Sequence, residues 1–267
     1  MKIFKKSQKT LLAGILMAAG TSWAGPVILM GIDAEDGGPG GHGAISVYQN
    51  LVNNLLGGVT NGGANVLVLG SNGGNVASFW SALDAGIGSS VTMGNSASIG
   101  TQSFLGYALI AIVSDQLNTP SGGMTAAQNT ALTGRQAAIA AFVNAGGGLL
   151  GFSSQFGANS YNYVGGLGSF TFNTPPQYNN ITATAAGNAV GITSTNLDVC
   201  CWHQTFATYP SFLNVLATAP NGQAAAIGGA TVTITPVPEP ATLALLGIGL
   251  AGLGLVRRRQ KQEVAKA

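Results

Sequence analysis

Apolar residues fall along the chain as short unbroken runs, separated by stretches with helical spacing. The run Val27–Ile32 leads into a loop rich in glycine and acids, which is typical of a buried strand. Between Ala44 and Leu56, apolar residues recur every three or four positions, which predicts a helix. The same two patterns predict strands at Asn65–Leu69, Val91–Met93, Tyr107–Val113, Leu149–Phe152 and Leu213–Ala217, and a helix at Val76–Leu83.

The best-marked helix is predicted between Thr125 and Gly146. Thr125 and Gln128 match a capping box, and the glycines Gly146–Gly148 end the helical pattern. Because strands alternate with helices along residues 25–235, we expect one α/β domain with a doubly wound, mostly parallel sheet.

The pattern loosens after Gly157. Tyr161–Pro176 is aromatic and rich in glycine, and we expect irregular or hairpin-like structure there. Further on, Ala224–Ile227 and Thr231–Ile234 flank Gly228-Gly229, which predicts a C-terminal hairpin.

Charged residues make up only 7% of the chain, and they are unevenly placed. Nine of the ten basic residues lie near the two ends, and only Arg135 lies in the body from Gly25 to Pro236. The acids of that body are Asp33, Glu35, Asp36, Asp84, Asp115 and Asp198. One arginine against six acids gives the body a formal charge of −5, which argues against nucleic acid as a partner.

The first 24 residues have the pattern of a secretory signal peptide. Lysines precede a short apolar run, Leu11–Ala19, and Ser22 and Ala24 place small residues where signal peptidase cuts. The run is too short for a hydrocarbon core of about 30 Å. We therefore expect signal peptidase to act before Gly25 and the body to be exported.

The C-terminus combines three features in a fixed order. Val237-Pro238-Glu239-Pro240 precedes the uncharged stretch Ala241–Val256, and Arg257-Arg258-Arg259 follows it. The uncharged stretch would form about 24 Å of helix, so a short transmembrane helix is predicted at 241–256. The arginines favour the cytoplasmic side, which leaves residues 261–267 inside and the body outside.

This order of features resembles PEP-CTERM sorting tails, over residues 236–260. The resemblance implies recognition by an exosortase, with Pro238, Glu239, Pro240, Arg257, Arg258 and Arg259 as the sorting motif. It also implies a transient inner-membrane anchor, removal of the tail, and delivery to the cell surface or exopolysaccharide matrix of a Gram-negative bacterium. Exosortase and exopolysaccharide are thus the partners that it implies.

A second resemblance concerns the body. Leu132–Gly151 combines a helix, three glycines and an apolar strand, and it is similar to the class I glutamine amidotransferase-like fold in its ThuA-like branch. The resemblance implies a flavodoxin-like sheet over residues 25–235. In that family a cysteine nucleophile follows the strand, and a His-x-Glu pair lies downstream.

The loop Asp33–Gly43 follows the first predicted strand. In a doubly wound sheet such a loop opens on the edge where ligands bind. Asp33, Asp36 and His42 are suitable ligands for a divalent metal ion. The glycines would instead let backbone amides approach an anion. A connector with solvated acids is the third interpretation, and the sequence leaves all three open.

Ser153, Asp198 and His203 occur in the chain order of an α/β-hydrolase triad. Gln155 breaks the Gly-x-Ser-x-Gly pattern, however, and Thr205 stands where the amidotransferase pair has its acid. We therefore expect a non-catalytic binding domain. The alternatives are a secreted hydrolase that uses Ser153 and His203, and a metal-dependent glycan-acting protein that uses Asp33, Asp36, His42 and His203.

Cys200 and Cys201 are adjacent, and the chain has no other cysteine. Export favours their oxidation. We expect them to form a vicinal disulfide, to stay free, or to bridge two chains. Two cysteines and one nearby histidine leave a zinc site incomplete.

Overall fold

The computed structural model of the protein describes residues 24–155, 161–173, 179–197 and 199–229. The predicted signal peptide, the sorting tail with its predicted transmembrane helix, residues 261–267 and the predicted strand at 231–234 lie outside this part, apart from Ala24. Within the described residues, no helix is both long and apolar enough to cross a membrane.

A mixed sheet of ten strands organises the described residues. The strands are β1 Val27–Met30, β2 Ala64–Leu69, β3 Val91–Met93, β4 Tyr107–Ile112, β5 Gly148–Gly151, β6 Thr171–Asn173, β7 Thr182–Ala183, β8 Thr205–Thr208, β9 Asn214–Thr218 and β10 Ala224–Gly229. The helices are α1 Ile45–Gly57, α2 Gly74–Asp84, α3 Ala126–Thr133, α4 Gln136–Asn144, α5 Ala185–Ala189 and α6 Ser194–Leu197, with 3-10 turns at Ser96–Ser98 and Asn162–Leu167.

The sheet runs in the order β3-β2-β4-β5-β1-β10-β8-β6, and β9 pairs with both β10 and β7. Strands β3, β2, β4, β5 and β1 are parallel, and antiparallel pairing begins at β10. The predicted α/β class with a parallel core is therefore confirmed. A flavodoxin-like sheet has the order 2-1-3-4-5. Here β1 instead lies at the far end of the parallel strands, where β10 covers its open side.

The helices divide into two groups that follow from the strand order. Through α1 and α2 the chain moves in one direction along the sheet, and α1 packs against α2. Through α3 and α4 it returns in the opposite direction, and both helices contact the 3-10 turn Asn162–Leu167. Because such crossovers are right-handed, the two groups lie on opposite faces of the sheet.

The single helix predicted from Thr125 to Gly146 is wrong, because two helices occupy that stretch. The capping box of Thr125 and Gln128 is present, but α3 ends at Thr133. Arg135 leaves helical geometry with φ −102° and ψ 8°. Its guanidinium is fixed outside the helix, since it donates to the carbonyl oxygens of Ile99 and Gln102 at 3.1 and 2.9 Å.

The predicted turn at Gly228-Gly229 is also wrong. Both glycines lie inside β10, where they pair with Ile28 and Val27 of β1. A Cβ atom at Gly228 would come within 1.9 Å of the Val27 carbonyl oxygen. Close packing of two backbones, rather than a turn, requires glycine at this position.

The two edges of the parallel strands have different contents. Asp33, Asp115 and Ser153 follow β1, β4 and β5 directly, so these residues gather at what we call the carboxyl edge. We call the opposite edge, where the parallel strands begin, the amino edge. Because β10 is antiparallel to β1, it ends at the amino edge, with Gly229 opposite Val27.

Candidate functional site

Asp33 lies at the centre of the carboxyl edge and contacts two histidines. Its side chain is 2% exposed. Oδ2 lies 3.1 Å from His203 Nε2, and Oδ1 lies 2.8 Å from His42 Nδ1. One buried carboxylate therefore contacts both a histidine of its own loop and a histidine 170 positions further along the chain.

The two oxygens of the Asp33 carboxylate differ in their hydrogen bonding. Oδ2 pairs with His203, whereas Oδ1 is buried and has no hydrogen-bond partner among the described residues. His42 Nδ1 is close to Oδ1, but it is directed at the backbone oxygen of Asp33, 2.9 Å away. Oδ1 is thus a buried acceptor that contacts the His42 imidazole but receives no well-directed hydrogen bond among the described residues.

His42 is held in place by its own loop and by α1. The hydroxyl of Tyr48 donates to the backbone oxygen of His42. Burial opposes the charged imidazole, but the hydrogen bond with Asp33 and the charge of that carboxylate outweigh it, so the pKa of His42 is raised above 6.5. The loop therefore favours positive charge beside Asp33 Oδ1.

Asp36 completes a cluster with Asp33 and His42. One potential ligand atom from each residue lies within 4.8 Å of the others. A turn brings them together, because the backbone N–H of Asp36 donates to the Asp33 carbonyl oxygen at 3.0 Å. Asp33 is buried, whereas Asp36 and His42 are half-buried, so the cluster opens towards solvent on one side.

His203 reaches Asp33 through backbone pairing beside β1. Its N–H donates to the Gly31 carbonyl oxygen at 2.6 Å, and Trp202 forms a bridge with Ile32. The structure joins Cys200 and Cys201 by a disulfide immediately before this segment. Cys201 is buried, and Cys200 is exposed.

Glu35 is buried behind the cluster. Oε1 accepts from Trp80 Nε1 at 3.0 Å, and Oε2 accepts from both the hydroxyl and the N–H of Ser114. Burial raises the pKa of Glu35 from 4.5 to about 7, although these donors favour the carboxylate. Glu35 therefore connects the acidic loop to α2 and β4.

Asp115 organises the loop after β4. Its carboxylate accepts from the backbone N–H groups of Leu117, Asn118 and Gln155. Burial nevertheless outweighs these bonds and raises the pKa of Asp115 above 3.8. The sequence patterns did not identify Ser114, Asp115 and Asn118 as site residues. Their place directly after a buried parallel strand was the signal that could have done so.

Ser153 is fully buried, and its hydroxyl accepts from Asn118 Nδ2 at 2.8 Å. His203 faces Asp33, and the structure has no hydrogen bond between Ser153 and His203. Asp198 lies outside the described residues. The triad of Ser153, Asp198 and His203 therefore stays a prediction.

Comparison with known proteins identifies the end of the chain only. The model of the PEP-CTERM protein-sorting motif matches residues 236–259. The motif implies an exported protein with a transient membrane anchor that an exosortase processes. No curated protein and no solved structure shows significant similarity to the chain. The amidotransferase-like resemblance of the body is supported by no family match.

Proposed function

We propose that the exported body binds a divalent metal ion at the carboxyl edge and serves as a binding domain at the cell surface. Asp33, Asp36 and His42 are the proposed ligands, and His203 positions Asp33. The observation that carries the proposal is Asp33 Oδ1, which is buried, accepts no hydrogen bond among the described residues and lies inside a cluster of ligand-type side chains.

His42 lies 2.8 Å from this oxygen, but without a well-directed hydrogen bond the bonding of the oxygen is incomplete, and that is costly. A buried polar group without a partner typically costs about 1–3 kcal/mol, and more when it is charged. A cation beside Oδ1 removes that cost, whereas an anion on the glycines of the loop would increase it. The same oxygen therefore favours the metal interpretation over the anion interpretation.

The spacing of the nearby atoms also suits a metal ion. Adjacent ligands around an octahedral ion lie about 3 Å apart when each is about 2.1 Å from the metal. His42 Nδ1 lies 2.8 Å from Asp33 Oδ1 and 2.9 Å from the Asp33 backbone oxygen. These separations suit ligands of one ion, and a metal would replace the proton on Nδ1.

The ligand types favour Mn²⁺ or Zn²⁺. Carboxylates suit Mn²⁺, and imidazole suits Zn²⁺ and other later first-row ions. Asp36 and His42 are half-buried, so the open side of the cluster faces solvent. An external ligand with hydroxyl or carboxyl groups, such as a matrix polysaccharide, could complete the coordination there.

The scaffold of this domain is proposed to be amidotransferase-like. In support, α4, the glycines Gly146 and Gly147, and β5 follow one another as that resemblance implies. The turn after β5 carries Ser153 in place of the family's cysteine, and the serine hydroxyl is engaged by Asn118. This difference supports binding rather than hydrolysis.

Metal titration of the unmodified protein and three variants tests the proposal. The full chain is purified in detergent, stripped with a chelator and titrated with Mn²⁺ or Zn²⁺ by calorimetry. Asp33→Asn keeps the shape but removes the charge, and we expect affinity to fall at least about 100-fold. For His203→Gln, which changes only the residue behind Asp33, we expect a loss of about 10- to 100-fold.

Asp84→Asn is the matched control, because it removes an acid of the body that lies outside the cluster. The Asp84 carboxylate accepts from the Val91 N–H instead. Its metal affinity should equal that of the unmodified protein. If the unmodified protein binds neither ion, or if Asp33→Asn binds as tightly as Asp84→Asn, the proposed function is wrong.

A further inference from the structure

Both described ends of the chain emerge at the amino edge. Near the N-terminus, the N–H of Gly25 donates to the Val143 carbonyl oxygen at 2.8 Å, at the end of α4. At the other end, Gly229 completes β10 opposite Val27. The sorting tail therefore continues from the edge opposite to the candidate metal site.

The connection between the body and the tail is short. Residues 230–240 separate β10 from the uncharged stretch Ala241–Val256. Eleven extended residues span at most about 40 Å. Because β10 ends at the amino edge, this edge is joined to the anchored tail by the shortest path along the chain. To bring the carboxyl edge to the membrane, the connection would first have to pass along the whole body.

The amino edge exposes apolar surface. Leu105, just before β4, is 90% exposed. It lines a cavity of about 460 Å³ together with Phe104, Tyr107 and Phe142. A second cavity of about 330 Å³ opens beside it and shares Gly62 and Gly63. Leucine and tyrosine at a surface of this kind suit the boundary between lipid headgroups and acyl chains.

The acids of the body lie mainly at the edge opposite to this apolar surface. At the carboxyl edge lie the acids Asp33, Glu35, Asp36 and Asp115. Of the described acids, Asp84 alone lies towards the amino edge, where it caps the start of β3. Anionic lipid headgroups would repel the carboxyl edge much more strongly than the amino edge.

We propose that the amino edge is a lipid-contacting face, on which Leu105 and its neighbours rest against the outer leaflet of the inner membrane while the tail is anchored. The candidate metal site then points away from the membrane. This proposal depends on the tail and on the exit of β10, and it does not depend on metal binding.

Two exposed leucines allow a matched test. Leu105 lies at the amino edge, and Leu117, which is 65% exposed, follows β4 at the carboxyl edge. Leu105→Cys and Leu117→Cys are made in the full chain, where Cys200 and Cys201 are already paired. Each variant is labelled with a bimane and reconstituted into vesicles of phosphatidylcholine, phosphatidylglycerol and a nitroxide-labelled lipid.

We expect nitroxide quenching at position 105 to be at least about twofold stronger than at position 117, because an interfacial face lies within reach of the acyl chains. A chelator is present throughout, so the result is independent of the metal site. Equal quenching at both positions would overturn the proposal. Disulfide-linked dimers of unlabelled Leu105→Cys, without quenching, would also overturn it and would show that a second copy covers this face.

Discussion

Glu35 is an acid of the body whose pKa is strongly raised by burial. It is fully buried, and donors from Trp80 and Ser114 surround its carboxylate. Burial raises its pKa to about 7, so the side chain changes charge near neutral pH. Above that pH, Glu35 is a buried anion. The hydrogen bond from Trp80 then stabilises the folded protein more than a hydrogen bond to a neutral acceptor would.

Trp80→Phe should therefore destabilise the protein more than Trp202→Phe. Both indoles are fully buried, but the Trp202 N–H donates to the neutral carbonyl of Leu197, at the same 3.0 Å. We expect the free energy of unfolding to fall by about 1–2 kcal/mol more for Trp80→Phe, because its lost bond is to a carboxylate. Urea unfolding followed by circular dichroism measures the difference.

The pH dependence of this difference gives a sharper check. Because the folded pKa of Glu35 is raised, its contribution to stability is fully present below 4.5 and is lost as pH rises through about 7. Removing the Trp80 donor raises this pKa further, so the gap between the two variants should widen as the pH rises above about 7. Unfolding is measured with a chelator present. A gap that stays constant with pH would contradict the assignment.

The sequence named the four residues of the candidate site, but a local segment explains the proximity of only three of them. Asp33, Asp36 and His42 lie in the single loop that follows β1, so the strand and its loop place them at one edge. His203 joins Asp33 through the pairing of Trp202 with Ile32, at the start of β8. That strand has four residues, two of them exposed, and no local pattern marks it.

At the scale of elements, the capping box at the start of α3 is the local signal that the structure reproduces most directly. The Thr125 hydroxyl accepts from the Gln128 N–H, and the Gln128 side chain accepts from the Thr125 N–H. The two bonds satisfy backbone donors that the first turn leaves free. The box therefore determines where α3 begins.

Thr125→Ala should lower the free energy of unfolding by about 1 kcal/mol, because it removes the capping acceptor. Thr130→Ala in the same helix is the control. The Thr130 hydroxyl only donates back to the Ala126 carbonyl oxygen, and alanine favours helix, so we expect a change within about 0.5 kcal/mol. Thermal unfolding measures both, and equal destabilisation would show that the cap does not stabilise α3.

The element boundaries that sequence reasoning missed depend on distant partners. The break between α3 and α4 accompanies the contact of Arg135 with Phe104, whose ring centroid lies 4.2 Å from the guanidinium. Gly228-Gly229 has the composition of a turn, but both glycines pair with β1 and so belong to a strand. Apolar periodicity cannot predict either effect, because it depends only on neighbours along the chain.

At the scale of the whole molecule, the parallel core was predictable and the complete sheet order was not. Buried strands that alternate with helices identify β1 to β5 and their parallel pairing. The position of β1 is determined by β10, which lies about 200 residues later and pairs with it along its full length. The sheet order therefore depends on a contact between the two ends of the body.

The charges at the two ends of the chain make a separate prediction about sorting. The motif match covers residues 236–259 and so includes Arg257, Arg258 and Arg259 but not Lys261 or Lys266. Replacing the three arginines by serine removes the positive charge that holds the end of the span on the cytoplasmic side. We expect this variant to accumulate as unprocessed protein, as judged by immunoblotting of membrane and surface fractions.

The double variant Lys261→Ser and Lys266→Ser is the control, because it removes basic residues that lie beyond the motif. It should be processed and delivered to the surface as the unmodified protein is. If the arginine variant is processed equally well, the arginines are not part of the sorting signal. If both variants fail, total positive charge behind the span decides sorting, because snorkelling lysines can replace arginines at that boundary.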